Sequence, residues 1–350
     1  MKVCIVGAGW YGCHLGLILK NLGINVDIFD REAHALSCAS GNNQFRLHKG
    51  FHYARDYETR LQSRDGYGRF IERYPHLTRV VENNLYAVPE RDSLLDFETY
   101  SIIMATSGIT FERIDPKSLP WLSNVAGLMR TDERVIETEK SRRFFETKLA
   151  DCLRFETEVA PEDIRLHETH VEFRGKQYDY LIDATWGHMS KISMDVFYEP
   201  TLLLYYRSPE NFNAAITLVD GPLCSLYPTE EPGRFTLSSV IHTPLAHCET
   251  AQEARHYLHH VDTRTIERKR ELMEAEFSKY FPDFKAQFSY DGPQLSIKTK
   301  PVGTNDNRAC YVFQNGPVFR VMSGKIDTIF IAAERIVSGI TSRFGEEYNF

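Results

Sequence analysis

Lys2-Val3-Cys4-Ile5-Val6-Gly7-Ala8-Gly9-Trp10-Tyr11-Gly12 opens the chain with a short β-branched run that passes directly into Gly-x-Gly-x-x-Gly. Trp10 to Leu22 then carries apolar residues at helical spacing, and Asn25 to Phe29 returns to strand character. Strand, glycine turn, helix and strand in this order predict a dinucleotide-binding βαβ unit over Met1 to Asp30. Gly7 allows the tight turn, Gly9 lets the backbone approach a pyrophosphate, and Gly12 lets the helix pack closely on the strand. The helix N-terminus offers free N–H groups and a positive dipole end to phosphate. Asp30 falls where an acidic residue receives a ribose hydroxyl.

The rest of the composition narrows the partner. With 350 residues, 42% of them hydrophobic, the chain exceeds what one compact domain needs, and two intertwined domains are expected. A formal net charge of -7 with scattered basic residues gives no footprint for nucleic acid, so a small molecule is the expected partner. No window approaches the roughly 20 apolar residues of a membrane span. Lys2 leads into a strand rather than a signal peptide, so a cytoplasmic protein is expected. Seven cysteines without a Cys-x-x-Cys pair fit neither a disulfide framework nor a zinc site.

Outward from the βαβ unit, Tyr57 to Arg73 reads as a charged surface helix stopped by Pro75, and Asn84 to Leu128 as an excursion of short, mixed elements. Glu137 to Leu153 is helical, and Tyr180 to Ala184 is a buried-strand pattern returning to the nucleotide domain. Pro200 to Tyr206, Ala214 to Val219, Cys224 to Tyr227 and Phe235 to Ile241 are closely spaced strands, as expected of an antiparallel sheet flooring a substrate domain. Charged helices fill Ala251 to Tyr280, Leu295 to Lys300 and Ala309 to Phe313 are extended, and Ile326 to Ile340 closes as a helix. The nucleotide domain is therefore placed at residues 1–85, 130–190 and 296–350, and the substrate domain at 86–129 and 191–295.

The motif does not by itself separate NAD from FAD. The next segment does, because Ala39 to Tyr53 is too polar and glycine-rich for a core element and reads as an active-site loop. Here the sequence resembles the D-amino-acid oxidase superfamily of flavoproteins. Asp183-Ala184-Thr185-Trp186-Gly187 is similar to the turn with which that family closes over FAD, and Ser323-Gly324-Lys325-Ile326-Asp327 is similar to its C-terminal loop at the flavin pyrimidine edge. The resemblance implies an α/β fold: a Rossmann-like, glutathione-reductase-type FAD domain with an antiparallel-sheet α+β substrate domain. It implies FAD contacts from Gly7, Gly9, Trp10, Tyr11 and Gly12, from Asp30 and Arg31, and from Ser40, Asn43 and Arg46. Val159, the turn Thr185, Trp186 and Gly187, and the loop residues Gly324, Lys325 and Ile326 complete the set, with Lys325 opening the last helix near the flavin.

In a flavoenzyme the cofactor accepts the hydride, and the protein orients the substrate and tunes the ring. Arg46, His48, Lys49 and His52 are the catalytic candidates. Arg46 and Lys49 either anchor an anionic substrate group or pair with FAD phosphate or a neighbouring carboxylate. His48 and His52, four residues apart, have metal-ligand spacing on a helix, but Gly50 argues against that helix and no metal is assigned. Either histidine is a flavin neighbour or proton acceptor. Tyr53 and Arg55 are weaker candidates, His256, His259 and His260 read as a solvated helix face, and Lys298 and Lys300 share one strand face that is expected to be exposed. The leading expectation is hydride transfer from a CH–NH or CH–OH bond of a small polar molecule, with an amine or amino acid favoured. Alternatives are a flavoenzyme acting on a nucleotide sugar or other biosynthetic intermediate, and a nicotinamide-only dehydrogenase or silent nucleotide-binding module.

Overall fold

Strand Lys2–Val6 pairs in parallel with Asn25–Phe29, and helix Trp10–Asn21 crosses between them. This is seen in a computed structural model that describes residues 1–210, 212–303 and 308–345. Val3, Cys4 and Ile5 are buried on both sides of the sheet, as parallel strands covered on two faces require. The sheet has six strands in the order Tyr311–Asn315, Val318–Met322, Tyr180–Asp183, Lys2–Val6, Asn25–Phe29 and Leu153–Arg154. Its pairs are parallel except for the hairpin between Tyr311–Asn315 and Val318–Met322. Sequence periodicity had not marked Val318–Met322, a five-residue strand closed in by a turn and a glycine loop.

An eight-stranded sheet forms the second layer, running Ser289–Pro301, Val196–Arg207, Arg234–Ser239, Cys224–Pro228, Ala214–Leu218, Asn83–Pro89, Val125–Thr131 and Glu112–Ile114. It is not wholly antiparallel. Ala214–Leu218 lies parallel to Asn83–Pro89, which the long crossover between them permits. The strand Ser289–Pro301 continues through position 296, where the sequence pattern placed a domain change. Residues 304–307 and 346–350 of the expected last nucleotide-domain segment lie outside the described residues.

Two helices depart from expectation. Tyr57–Arg73 keeps its predicted bounds and exposes Glu58, Asp65, Gly68 and Glu72, but it also has a face the sequence did not mark: Thr59, Arg60, Ser63, Gly66, Tyr67 and Phe70 are buried. Gly66 is required there, since a Cβ would stand 2.0 Å from the Asp327 carbonyl oxygen. The last helix begins at Ile329, three residues later than expected. The Lys325 carbonyl accepts from Tyr11 Oη and Thr328 Oγ1, which holds the preceding segment as a loop. All seven cysteines are free, and six are buried. Among the described residues no helix is long and apolar enough to cross a membrane.

Candidate active site

The glycine turn is packed as a cradle that side chains would fill. A Cβ on Gly12 would sit 1.8 Å from the Gly7 carbonyl oxygen, and one on Gly7, whose φ is +101°, would sit 2.9 Å from the Ala184 carbonyl oxygen. The space above Gly9 is bounded by Ser40, whose Oγ accepts the Trp10 N–H at 3.1 Å. Asp30 turns back onto the motif, accepting the Ala8 N–H at 2.6 Å and the Glu32 N–H at 2.9 Å. It thus braces the cradle from the carboxylate it presents to the cavity.

From this cradle one cavity of about 940 Å³ runs to the eight-stranded sheet. Gly7, Gly9, Trp10, Tyr11, Asp30 and Arg31 line its nucleotide end, with Ser40, Asn43 and Val159 beside them. Thr185, Trp186, Gly324, Lys325 and Ile326 close round its middle. Trp186 adopts a left-handed backbone at φ +60°, a strain fixed by Thr299 Oγ1 donating to its carbonyl at 2.7 Å. Gly12 and Gly187 do not reach the cavity surface: they shape the turns behind it, where Gly187 accepts from Tyr198 Oη at 2.5 Å.

Beyond the cradle the wall becomes ionisable. Arg46, 4% exposed, stacks its guanidinium 3.9 Å from the centre of the Tyr227 ring. Its Nη1 donates to Tyr86 Oη at 3.0 Å, whereas Nε and Nη2 have no protein partner. Tyr86 Oη donates to Glu133 Oε2 at 2.7 Å and contacts His52 Nδ1 at 2.8 Å. Glu133 is fully buried and also accepts the Lys49 backbone N–H at 2.7 Å. Burial pushes its carboxyl upward, against Arg46 and these two hydrogen bonds. His48 and His52 pack edge-to-face with ring centres 4.7 Å apart. Loss of hydration, with Lys325 and Arg46 nearby, holds both well below the usual imidazole range, so they are neutral.

Lys325 lines the same space with Nζ 4.2 Å from the centre of the Tyr53 ring. Burial lowers its ammonium far below the ordinary lysine range, opposed by the buried Asp327 carboxylate. Lys325 precedes the helix by four residues, so no helix N-terminus opens at its position. Gln294 donates through Nε2 to the Asn43 carbonyl and to Tyr205 Oη, which leaves Oε1 unpartnered. Thr217 Oγ1 is likewise buried and unpartnered.

Several sequence candidates fall elsewhere. Lys49 leaves the site: its Nζ pairs with Asp132 at 2.7 Å and Thr110 at 2.9 Å, because the short strand at Arg46–Leu47 ends before it and the chain turns outward. Lys298 and Lys300 do share a face, but that face is the cavity wall and not solvent. Lys300 pairs with Glu199 at 2.5 Å, and burial moves Lys298 down to about 8. His256 and His260 are exposed as expected, while His259 stands at the cavity rim. Arg55 pairs with Asp220 at 2.7 Å. Among the described residues, His167, His170 and Glu172 bring ligand atoms within 4.8 Å of one another on a hairpin that does not line the cavity. Sequence reasoning missed Tyr86, Tyr227 and Gln294, which stand alone in unremarkable strand segments, and Glu133, in the short connection between Val125–Thr131 and Arg134–Ile136; they become a group only through pairing.

The residues present fit FAD. The glycine cradle accepts a pyrophosphate, and buried, unpartnered donors at Arg46 Nη2, His48 Nδ1 and Trp186 Nε1 wait along the cavity. Cradle, closing turn, C-terminal loop and sheet floor together suit an FAD-dependent oxidoreductase. The known structures agree in fold: glycine oxidase from Geobacillus kaustophilus superimposes with a TM-score of 0.75 at 14% identity, covering 96% of this chain and 94% of that one. FAD-bound L-alpha-glycerophosphate oxidase from Mycoplasma pneumoniae gives 0.72, at 14% identity over 96% and 94%. In sequence, the chain is 52% identical over 334 residues to the FAD-dependent monooxygenase FPY4 of Fusarium mangiferae, spanning 95% of this chain and 89% of the relative. It is 27% identical over 365 residues to the FAD-dependent monooxygenase kojA of Aspergillus flavus, spanning 96% and 85%. No protein-family model matches. The chain belongs to the family of FAD-dependent oxidoreductases that FPY4 represents, which sets aside the nicotinamide-only and silent-module readings.

Proposed function

We propose that the enzyme removes a hydride from a CH–OH or CH–NH bond of a small polar substrate bound between the eight-stranded sheet and the segment Asn43 to Tyr53. The observation carrying this reading is Arg46, a buried guanidinium with two unspent N–H donors lining the cavity beside two neutral histidines. Such a fork holds an electron-rich oxygen in fixed geometry. Glu133 already balances its charge, so a hydroxyl or carbonyl oxygen serves as well as a carboxylate. When bound, FAD supplies the hydride acceptor. His52 takes the substrate's heteroatom proton. Seven unpaired thiols favour a reducing, cytoplasmic setting.

The names of the two sequence relatives favour a second reading, insertion of one atom of dioxygen into the substrate while the other leaves as water at the expense of NADPH. Anaerobic mixing separates them. Flavin bleached by an amino acid, amine or alcohol without nicotinamide supports the first. Flavin bleached only by NADPH, with label from dioxygen found in the product, overturns it in favour of the second.

A further inference from the structure

We propose that Glu133, acting through Tyr86, is a positioning residue that fixes His52 as its Nδ1–H tautomer and leaves the Nε2 lone pair as the proton acceptor. The proposal rests on the reading of this cavity as the substrate chamber, but its core is a count of protons. Tyr86 Oη touches three groups: Glu133 Oε2 at 2.7 Å, His52 Nδ1 at 2.8 Å and Arg46 Nη1 at 3.0 Å. A phenol has one proton to give and two lone pairs to fill. Arg46 can only donate, so it takes one lone pair. The remaining proton goes either to Glu133 or to His52.

If it goes to Glu133, Tyr86 must accept from His52, and Nδ1 carries the hydrogen. His52 Nε2 is then a bare lone pair; Arg46 Nη1 stands 3.3 Å from it and 3.4 Å from Nδ1, and so favours neither tautomer. Tyr86 has then given its one proton to a carboxylate and filled both lone pairs. If the proton goes to His52, Glu133 must itself be protonated in order to donate to Tyr86. Two things then oppose it. Burial itself pushes the Glu133 carboxyl upward, but a neutral acid would sit beside a guanidinium and against the Lys49 N–H donor at 2.7 Å, both of which favour the anion. The first arrangement keeps the Glu133 carboxylate ionised between its two donors, Tyr86 Oη and the Lys49 N–H, and near Arg46.

The arrangement has a use. A proton leaving a substrate O–H or N–H bonds to Nε2 through its lone pair, and the electron pair of the broken bond stays on the substrate heteroatom. The imidazolium that results keeps Nδ1–H on Tyr86, which in turn holds the Glu133 carboxylate. Positive charge at the ring is thereby met by an anion one residue away.

Nitrogen NMR of histidine-labelled holoprotein tests this without substrate, with the His52 resonances assigned by their loss in His52→Gln. The wild type should show Nδ1 protonated and Nε2 bare. Glu133→Gln gives Tyr86 an amide donor in place of an acceptor, so the tautomer should reverse. Tyr86→Phe should also release it, with FAD content retained. A wild-type ring protonated at Nε2, or a tautomer unmoved in Tyr86→Phe, overturns the proposal. Should the tautomer behave as stated while His52→Gln leaves flavin reduction and its pH profile unchanged, the tautomer assignment stands and the role of His52 in turnover falls.

Discussion

The two ends of the cavity are built on opposite principles. At the nucleotide end, side chains are withheld: Gly7, Gly9 and Gly12 leave room for backbone to meet ligand, and one carboxylate, Asp30, braces the turn. At the sheet end, side chains do everything, and Arg46, Glu133, Tyr86, His48 and His52 are held in place by one another. A cradle of the first kind is tolerant of charge and intolerant of volume. A network of the second kind is the reverse.

The sharpest test of that contrast is volume at the cradle. Gly12→Val sets a side chain against the Gly7 carbonyl oxygen, a backbone atom that cannot yield, and should cost more than about 4 kcal/mol, with FAD lost from the purified protein. Normal flavin absorbance and melting temperature in that variant would break the comparison. At the other end, deleting a charge should matter most. Glu133→Ala abandons the buried Arg46 and is expected to destabilise the fold by about 3–5 kcal/mol in denaturant titration. Glu133→Gln should cost less, because the Lys49 N–H keeps its acceptor.

Arg46→Lys keeps the charge and loses the fork. It should raise KM roughly tenfold or more, equivalent to about 1.4 kcal/mol, with FAD content unchanged. Flavin loss at constant KM would instead move Arg46 to the cofactor. Acid adds a finer measure. His14, buried on the cradle helix itself, is held down to about 3, chiefly by burial and then by Arg73 and Arg69, against an ordinary 6.5. The unfolded chain therefore binds the extra proton, and its contribution to stability is lost as pH falls from about 6.5 toward 3. His14→Gln should flatten the slope of unfolding free energy with pH over that window. The smallest effect belongs to Lys49→Met, which breaks an exposed pair with Asp132 and should change stability by within about 0.5 kcal/mol and KM not at all.

The same contrast explains how far the sequence could be read. Glycine spacing, the bounds of Tyr57–Arg73 and the polar run to Tyr53 are local signals, and each led to its element or to the cavity wall. Arg46 and His52 were found because they lie in that run. Glu133 and Tyr86 were not, because their meeting with Arg46 depends on strand pairing across 87 and 40 residues of chain. Lys49 misled for a related reason: three residues beyond Arg46, a change of direction that no propensity marks turns it out of the cavity to Asp132 and Thr110. The buried face of Tyr57–Arg73 was hidden by its charges, since Arg60 is buried yet satisfied by the carbonyls of Tyr53 and Ala54.

The order of the six-stranded sheet also bears on how the protein is made. Lys2–Val6 emerges first, but its neighbour Tyr180–Asp183 follows only after more than half of the chain has been translated, and Val318–Met322 comes near the end. The first strand must wait beside a ribosome with one edge unpaired, an edge rich in Val, Cys and Ile. The glycine turn cannot close against Ala184 until then, nor can Gly66 seat on Asp327 until the last helix is about to form. Flavin capture therefore follows synthesis of Val318–Met322 and the loop Ser323 to Asp327, and a nascent chain stalled short of them has no finished site in which to hold it.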